Sequence, residues 1–384
     1  MSETESNNNN AWLGLLKWSL NYVDGTVPSN ESEGFKEMSK EDRAFLEEVM
    51  KNGIVDEGER MKTILSSLVA YLDNILKGSS GGESKDETID ATSTSKDDVV
   101  LVVSEDEALV LLEDLQFIVE QIDYAKSFAA MGGIEFLIGF SAQKENVSKT
   151  IRSACLTALS TLCQNNPPAQ YMMLEHGAIL KLLQLYSAEF PKQKCAKKDD
   201  GDTADGLVDT DSLRAKIVQV MSSSIRNHET AEQIFCMNVE GVQMIESGLG
   251  IHCAKETLGR PDVNLKRKSL FFLQALVTSD AADVQRICKF TQAIQYTVCN
   301  FLDPTVEDSQ EIREMTLSML SRILARKCCV DPVLDMKPTL ISLGVKRVTA
   351  LRALEGEERE YAEEELKLWE SLITNIARTP RDEE

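Results

Sequence analysis

Residues 131–183 read MGGIEFLIGFSAQKENVSKTIRSACLTALSTLCQNNPPAQYMMLEHGAILKLL. The same short landmark opens and closes this stretch, as MGGIEFLI at Met131 and EHGAILKLL at Glu175: a Gly, a small residue, Ile, then an apolar helix. Between the two, Ile151, Cys155, Ala158, Leu159 and Leu162 follow i, i+4, i+7, i+8 spacing, which is one face of a helix. Asn165-Asn166-Pro167-Pro168 stops that helix and turns the chain, because Pro removes a backbone donor and pushes the residue before it out of the helical region.

The landmark returns as NVEGVQMIE at Asn238 and FTQAIQYTV at Phe290. Gly133 and Gly177 are 44 positions apart, Gly177 and Gly241 are 64, and Gly241 and Gln292 are 51. The middle interval falls to the low forties once the stretch 191–211 is set aside as an insertion, since it runs from Lys-rich to Asp-rich with little to bury. A period of about 40–47 belongs to armadillo and HEAT repeats, in which two or three helices make each unit. Leu265, Leu270, Leu273, Leu276 and Val277 form a further ladder-like helix, as do Ile312, Met315, Met319 and Ile323 with a second apolar row at Leu317, Leu320 and Leu324. Helices apolar on two sides are what the middle layer of a stacked solenoid requires. The expected fold is all-α, an armadillo/HEAT-like solenoid of about four repeats with capping helix pairs.

Composition agrees. The chain has 384 residues, 42% of them hydrophobic, enough for a large core. Only 6% are aromatic and nine are Pro, few for a strand-and-turn architecture. The expected organisation is an N-terminal segment with capping helices (1–77), a disordered Gly/Ser-rich acidic linker (78–98), repeats over 99–350 interrupted at 191–211, and an acidic capping helix and tail (351–384). The start carries no basic run followed by a long apolar one, so no secretory leader is expected, and the longest apolar run, Val99–Val103, is too short to cross a bilayer. Nine Cys, several at helical core positions such as Cys155 and Cys163, look like reduced thiols. A soluble cytoplasmic protein fits these features, with no membrane partner.

Lys and Arg number 41 against 63 Asp and Glu, a formal charge of −22, which excludes broad contact with phosphate backbones and so a nucleic-acid partner. Chemistry is hard to place. There is no C-x-x-C, and the three His are far apart, so no metal is expected. Aligning Gly206 with the obligatory Gly of a calcium loop puts Gly201 at the first ligand position, where it cannot coordinate through a side chain. Phosphate-binding and nucleophile-elbow patterns are missing too, so neither a cofactor nor catalysis is expected.

A surface remains. The helices before each landmark end in polar groups: Glu120, Gln121 and Asp123 ahead of Tyr124-Ala125; Gln164, Asn165 and Asn166; Arg226, Asn227 and His228; and Gln274 within FFLQAL. Amides and Arg on rigid helices suit hydrogen bonding to a partner's loops and helix ends, although each could equally cap its own helix. Lys266-Arg267-Lys268 opens a helix, where the dipole disfavours cations, and could serve an acidic partner.

Several segments, in order, resemble the heat shock protein 70-binding proteins, the armadillo-type nucleotide exchange factors. They are LGLLKWSLNY (13–22), MSKEDRAFLEEVMKNG (38–53), MKTILSSL (61–68), LVLLEDLQFIVEQIDYAKSFAAMGGIEFLIG (109–139), IRSACLTALSTLCQNNPPAQ (151–170), LRAKIVQVMSSSIRNHETAEQIF (213–235), LKRKSLFFLQALV (265–277) and REYAEEELKLWESLI (359–373). The resemblance implies a co-chaperone without catalytic residues or cofactor, a monomer on its own, that grips the ATPase domain of a heat shock protein 70 with its concave face and promotes release of ADP and then of substrate. It places Ala125, Asn165, Asn166, Arg226, Asn227, Lys268 and Gln274 on or near the gripping face, Ala125 small for close approach and the others polar contacts. It also lets Leu13, Leu15, Leu16 and Trp18 compete for the chaperone's substrate site. The stretches 78–98 and 191–211 are longer than the family pattern, and Gln292 stands where the other landmarks have Gly. The rival reading is a general armadillo scaffold holding an extended basic peptide or another protein in its groove. Peptide carriers of that kind present Trp and Asn ladders, and Trp occurs here only at 12, 18 and 369.

Overall fold

The computed structural model describes residues 40, 44, 56–79, 103–190, 205–251, 260–326 and 335–378. The chain divides into two compact units, 1–63 and 64–384. In the first, the described residues are Lys40, Ala44 and the start of α1 (Glu57–Ser79) with the residue before it. The second holds the rest of α1 and every other helix whose bounds are described. The expected linker 78–98 lies outside the described residues beyond the end of α1, as does the Leu13–Trp18 segment.

In the second unit a lone ladder helix, α2 (Glu105–Val119), leads. Four three-helix repeats come after it. The first is α3 (Ile122–Ala130), α4 (Gly133–Ser141) and α5 (Lys149–Cys163). The second is α6 (Pro167–Glu175), α7 (Ala178–Ala188) and α8 (Asp205–Ile225). The third is α9 (Glu229–Met237), α10 (Val239–Leu249) and α11 (Val263–Thr278), and the fourth α12 (Val284–Lys289), α13 (Thr291–Phe301) and α14 (Gln310–Leu324). The chain then runs through α15 (Lys337–Arg352), the short α16 (Glu357–Tyr361) and α17 (Glu363–Arg378). No strand occurs among the described residues.

Packing makes two parallel rows. The ladder helices α2, α5, α8, α11, α14 and α17 each pack on the next, and α4, α7, α10 and α13 form a second row behind them. This is an all-α solenoid of armadillo-like repeats. The ladder helices are apolar on two sides because they touch neighbours on both: Cys155, Leu159, Leu162, Leu273, Leu317 and Leu320 are all fully buried. Met315, read from spacing as part of that core, is only half-buried.

Local signals set the ends. The Ser148, Asp262 and Ser309 side chains accept hydrogen bonds from the Ile151, Leu265 and Ile312 amides, capping α5, α11 and α14. Ser104 and Glu107 close a reciprocal capping box on α2. Asn165 and Asn227 end α5 and α8 with φ of +53° and +65°, a left-handed turn that Asn tolerates better than most residues. Helix α8 starts at Asp205, inside the stretch read as an insertion to Asp211; residues 191–204 lie outside the described residues. Its latter part is structural: Asp211 accepts from the Asp262 amide at 3.0 Å and pairs with Arg214 at 3.0 Å.

The structure shifts the register of the landmark. The left-handed corner residues are Gly132 (φ +83°) and Gly177 (φ +64°), so Gly133 corresponds to Ala178. Aligning Ile134, Ile179, Val242 and Ile294 then places Gly133, Ala178, Gly241 and Ala293 at one small, buried position. Gln292 is therefore no departure; Ala293 is the counterpart. Smallness is required where an aromatic of the preceding helix presses on that spot. A Cβ on Gly133 would lie 2.2 Å from the Phe128 ring, and one on Gly241 would lie 2.6 Å from the backbone carbonyl of Phe235, which cannot swing aside. Gly241→Ala is expected to destabilise the third repeat by about 1–3 kcal/mol, read as a lower urea midpoint.

Candidate protein-binding face

The ladder helices leave one side uncovered by the second row, and side chains there join adjacent helices across the repeats. Lys216 on α8 donates to the Thr157 hydroxyl on α5 at 3.0 Å. The Arg226 guanidinium at the end of α8 stands 5.1 Å from the centroid of the Phe271 ring on α11, which is 43% exposed although large and apolar. The Gln274 amide donates to the Ser318 hydroxyl on α14 at 3.3 Å. A continuous, half-open strip thus runs over repeats one to four.

Its charge is uneven. In a chain with 63 acidic residues, α5, α11 and residues 212–225 of α8 contain no Asp or Glu. At the leading end, α2 carries five acidic residues and no Lys or Arg. Arg152, Arg214 and Lys266 turn inward to carboxylates, while Lys216 and Lys268 stay half-exposed on the strip. Burial, and then the charges of Arg267 and Lys216, push the Lys268 ammonium below its usual pKa, with Glu311 acting weakly the other way.

The expected contact residues do not all fall here. Arg226, Lys268 and Gln274 lie on the strip, Arg226 half-buried against Phe271 and Gln274 already bonded to Ser318. Gln164 and Asn165 are exposed at the end of α5, as is Asn227 at the matching end of α8, where its backbone N–H donates to the Glu232 carboxylate. Asn166 is a correction: it is 2% exposed, and its side-chain oxygen accepts from the Ala169 amide, capping α6. Ala125 is another. It is fully buried beside Phe128 and Ala129, so its smallness serves the core rather than a partner's approach. Asp123 is exposed on α3, outside the ladder row. Sequence reading passed over Lys216 and Phe271 and took Met315 for core. The signal for them is register: Lys216, Lys268 and Met315 occupy equivalent ladder positions, which becomes visible only once repeats of unequal length are aligned.

Among the described residues no three His, Cys, Asp or Glu side chains gather to hold a metal. Burial pushes the Cys155, Cys163 and Cys236 thiols up, Cys163 to about 12 and Cys236 to about 11. Among the described residues no helix is long and apolar enough to cross a membrane.

The sequence matches no protein-family model and no curated protein. Among solved structures it is similar to an engineered protein at 12% identity, over 72% of this chain and 94% of that one, with a TM-score of 0.48. It is similar to a designed armadillo repeat protein at 13% identity (71% and 94%, TM-score 0.45). Another designed armadillo repeat protein, in complex with the peptide (KR)4, is 13% identical (71% and 94%, TM-score 0.47).

Proposed function

We propose that this chain is a non-catalytic scaffold that holds a protein partner on the open side of its ladder helices. The observation that carries this is the acid-free strip of repeats one to three, where Lys216, Arg226, Lys268 and an exposed Phe271 stand on rigid helices. Aromatic and Arg side chains are the usual anchors of protein interfaces. A basic peptide would meet like charges in the middle of the strip, so the basic-peptide form of the scaffold reading is the poorer one.

The partner proposed is the ATPase domain of a heat shock protein 70 chaperone, with this chain as its nucleotide exchange factor. Support comes from the ordered motifs between residues 13 and 373 that resemble that family, several of which supply the strip itself. Exchange needs no catalytic group, only a preference for the open, nucleotide-poor state of the ATPase domain. Moving such an equilibrium from mostly closed to mostly open takes roughly 10⁴-fold preference, about 5.5 kcal/mol. The reading carries a cytoplasmic site of action, a monomeric state and no cofactor of the chain's own.

The test is release of fluorescent ADP from a cytosolic heat shock protein 70 with and without this chain. Acceleration at micromolar concentration is expected, with most of it lost in Arg226→Ala. No acceleration overturns the exchange-factor reading. The Ala125→Arg variant, in contrast, is expected to misfold, since it puts a charge into the core.

A further inference from the structure

The middle of the open strip has a feature that a general docking face does not require. Lys216 and Lys268 occupy the same ladder position on adjacent helices, α8 and α11. Each lacks a carboxylate partner among the described residues: Lys216 bonds only the neutral Thr157 hydroxyl, and Lys268 has no hydrogen bond or ion pair there. The contrast with the inward-facing cations is plain. Arg152, Arg214, Lys266 and Arg313 each hold a carboxylate: Glu189, Asp211, Glu307 and Glu365 respectively. Arg267, next to Lys268, is occupied as well, by Glu311 at 3.4 Å and Asn264 at 3.1 Å. In a chain of net charge −22, two half-buried ammonium groups on adjacent helices, with no acid in residues 212–225 of α8 or in α11 and the nearby Glu311 engaged by Arg267, mark a place where the complementary charge comes from outside.

We propose that Lys216 and Lys268 form a seat for the carboxylates of an acidic segment of the partner protein. The proposal rests on the open strip being the protein-binding face, and it adds which part of a partner docks there: a loop or helix end carrying neighbouring Asp or Glu residues. Half-burial at the two lysines agrees, since a carboxylate placed between partly desolvated ammonium groups gains more than one at an open surface. Burial, then the charges of Arg267 and Lys216, hold the Lys268 ammonium below its usual pKa against the weaker pull of Glu311, and the repulsive part of that cost is relieved when the carboxylates arrive. Phe271 and Arg226 flank the seat, so the segment should carry an apolar or aromatic residue beside its acids. A nucleic acid is disfavoured at the same spot because its backbone needs an extended array of Lys and Arg, whereas a short acidic segment needs only these two.

The experiment uses the full chain and three probes: an oligo-glutamate peptide, an oligo-lysine peptide and an oligouridine RNA. The heat shock protein 70 ATPase domain is titrated in parallel. The variants are Lys216→Gln/Lys268→Gln, and Lys126→Gln/Lys181→Gln as a charge-matched control at exposed sites away from the strip. Oligo-glutamate is expected to bind the native chain in a salt-sensitive way, and to bind the first double variant roughly 10- to 100-fold more weakly while the control is unchanged. Oligo-lysine should not bind the strip. If helical content shows that the double variant is unfolded, Lys268→Met alone, which keeps the aliphatic stem, must still weaken oligo-glutamate binding. Equal oligo-glutamate binding by the native chain and folded Lys268→Met overturns the seat. So does oligouridine binding through the same lysines, or salt-sensitive self-association that the double substitution abolishes, which would assign the seat to a second copy. The two readings part in the chaperone arm. If the ATPase domain binds native chain and double variant alike, the seat falls and the exchange-factor reading stands. If it binds neither while oligo-glutamate behaves as expected, the chaperone reading falls and the seat stands.

Discussion

Arg152→Ala should destabilise the solenoid by about 3–5 kcal/mol, because it strips one partner from a buried ion pair. Arg152 and Glu189 are each 1% exposed, with Nη2 and Oε1 2.5 Å apart. The Arg152 Nε also donates to the Ser141 carbonyl at 2.6 Å. One guanidinium therefore ties α5 to the end of α4 and to the residue that caps α7. Removing it leaves the Glu189 carboxylate with only Lys144, 3.4 Å away and partly exposed, and leaves a buried carbonyl without a donor. The double change Arg152→Met/Glu189→Leu should recover most of the loss, since replacing a buried pair by apolar groups of similar size is often neutral. Urea unfolding of the native chain, both single variants and the double variant checks this. A single variant that loses less than about 1 kcal/mol would show that the pair is solvated. Because solenoid repeats hold chiefly through their neighbours, the damage should appear as an earlier transition of the leading repeats rather than as a uniform shift.

That arrangement recurs. Arg152, Lys266 and Arg313 all stand four residues after the N-cap of their ladder helix, and Arg214 holds the equivalent place in α8. Each is paired with a carboxylate distant in sequence or one helical turn away. An Arg beside the apolar row of a helix looks like an ordinary surface residue in the sequence, and its partner lies 37 positions away in the case of Arg152. The periodicity of Ile151 to Leu162, the Asn-Pro stop and the returning landmark depend on local spacing, and all three could be read directly. The burial of Ala125 could not, since an Ala next to Tyr124 reads the same on either face of a short helix. Asn165 and Asn166 show the limit within one dipeptide: both look like polar contacts, but Asn165 turns the chain in the open and Asn166 is spent capping α6. Lys268 was legible as an odd cation in an acidic protein. Its neighbour Lys216 was not, because only the packing of α8 on α11 puts the two together.

The closing helices should be the acid-sensitive part of the molecule. Glu365, fully buried near the start of α17, accepts from the Arg347 Nε at 2.7 Å and Nη2 at 3.0 Å, and from the Arg313 Nε at 3.2 Å. It thereby pins α14, α15 and α17 at one point. Burial by itself would raise this carboxyl, but the hydrogen bonds from Arg347 and the charges of Arg313 and Arg347 outweigh it and hold the pKa below the usual carboxylate range. A group whose folded pKa is depressed contributes stability that is fully present above the unfolded value, about 4.3 for Glu, and is lost as pH falls through the folded value. The native chain should therefore keep its C-terminal packing at neutral pH and lose it progressively in acid. Glu365→Gln should be destabilised at pH 7 by about 3 kcal/mol, since two guanidinium groups lose their charged partner, while the acid-dependent part of the loss disappears. Trp369 on α17 is fully buried and reports on this junction. With Trp12 and Trp18 replaced by Phe it is the sole indole, and its emission should shift to the red as α17 detaches. A native chain whose Trp369 emission has the same acid midpoint as Glu365→Gln would rule out Glu365 as the group responsible.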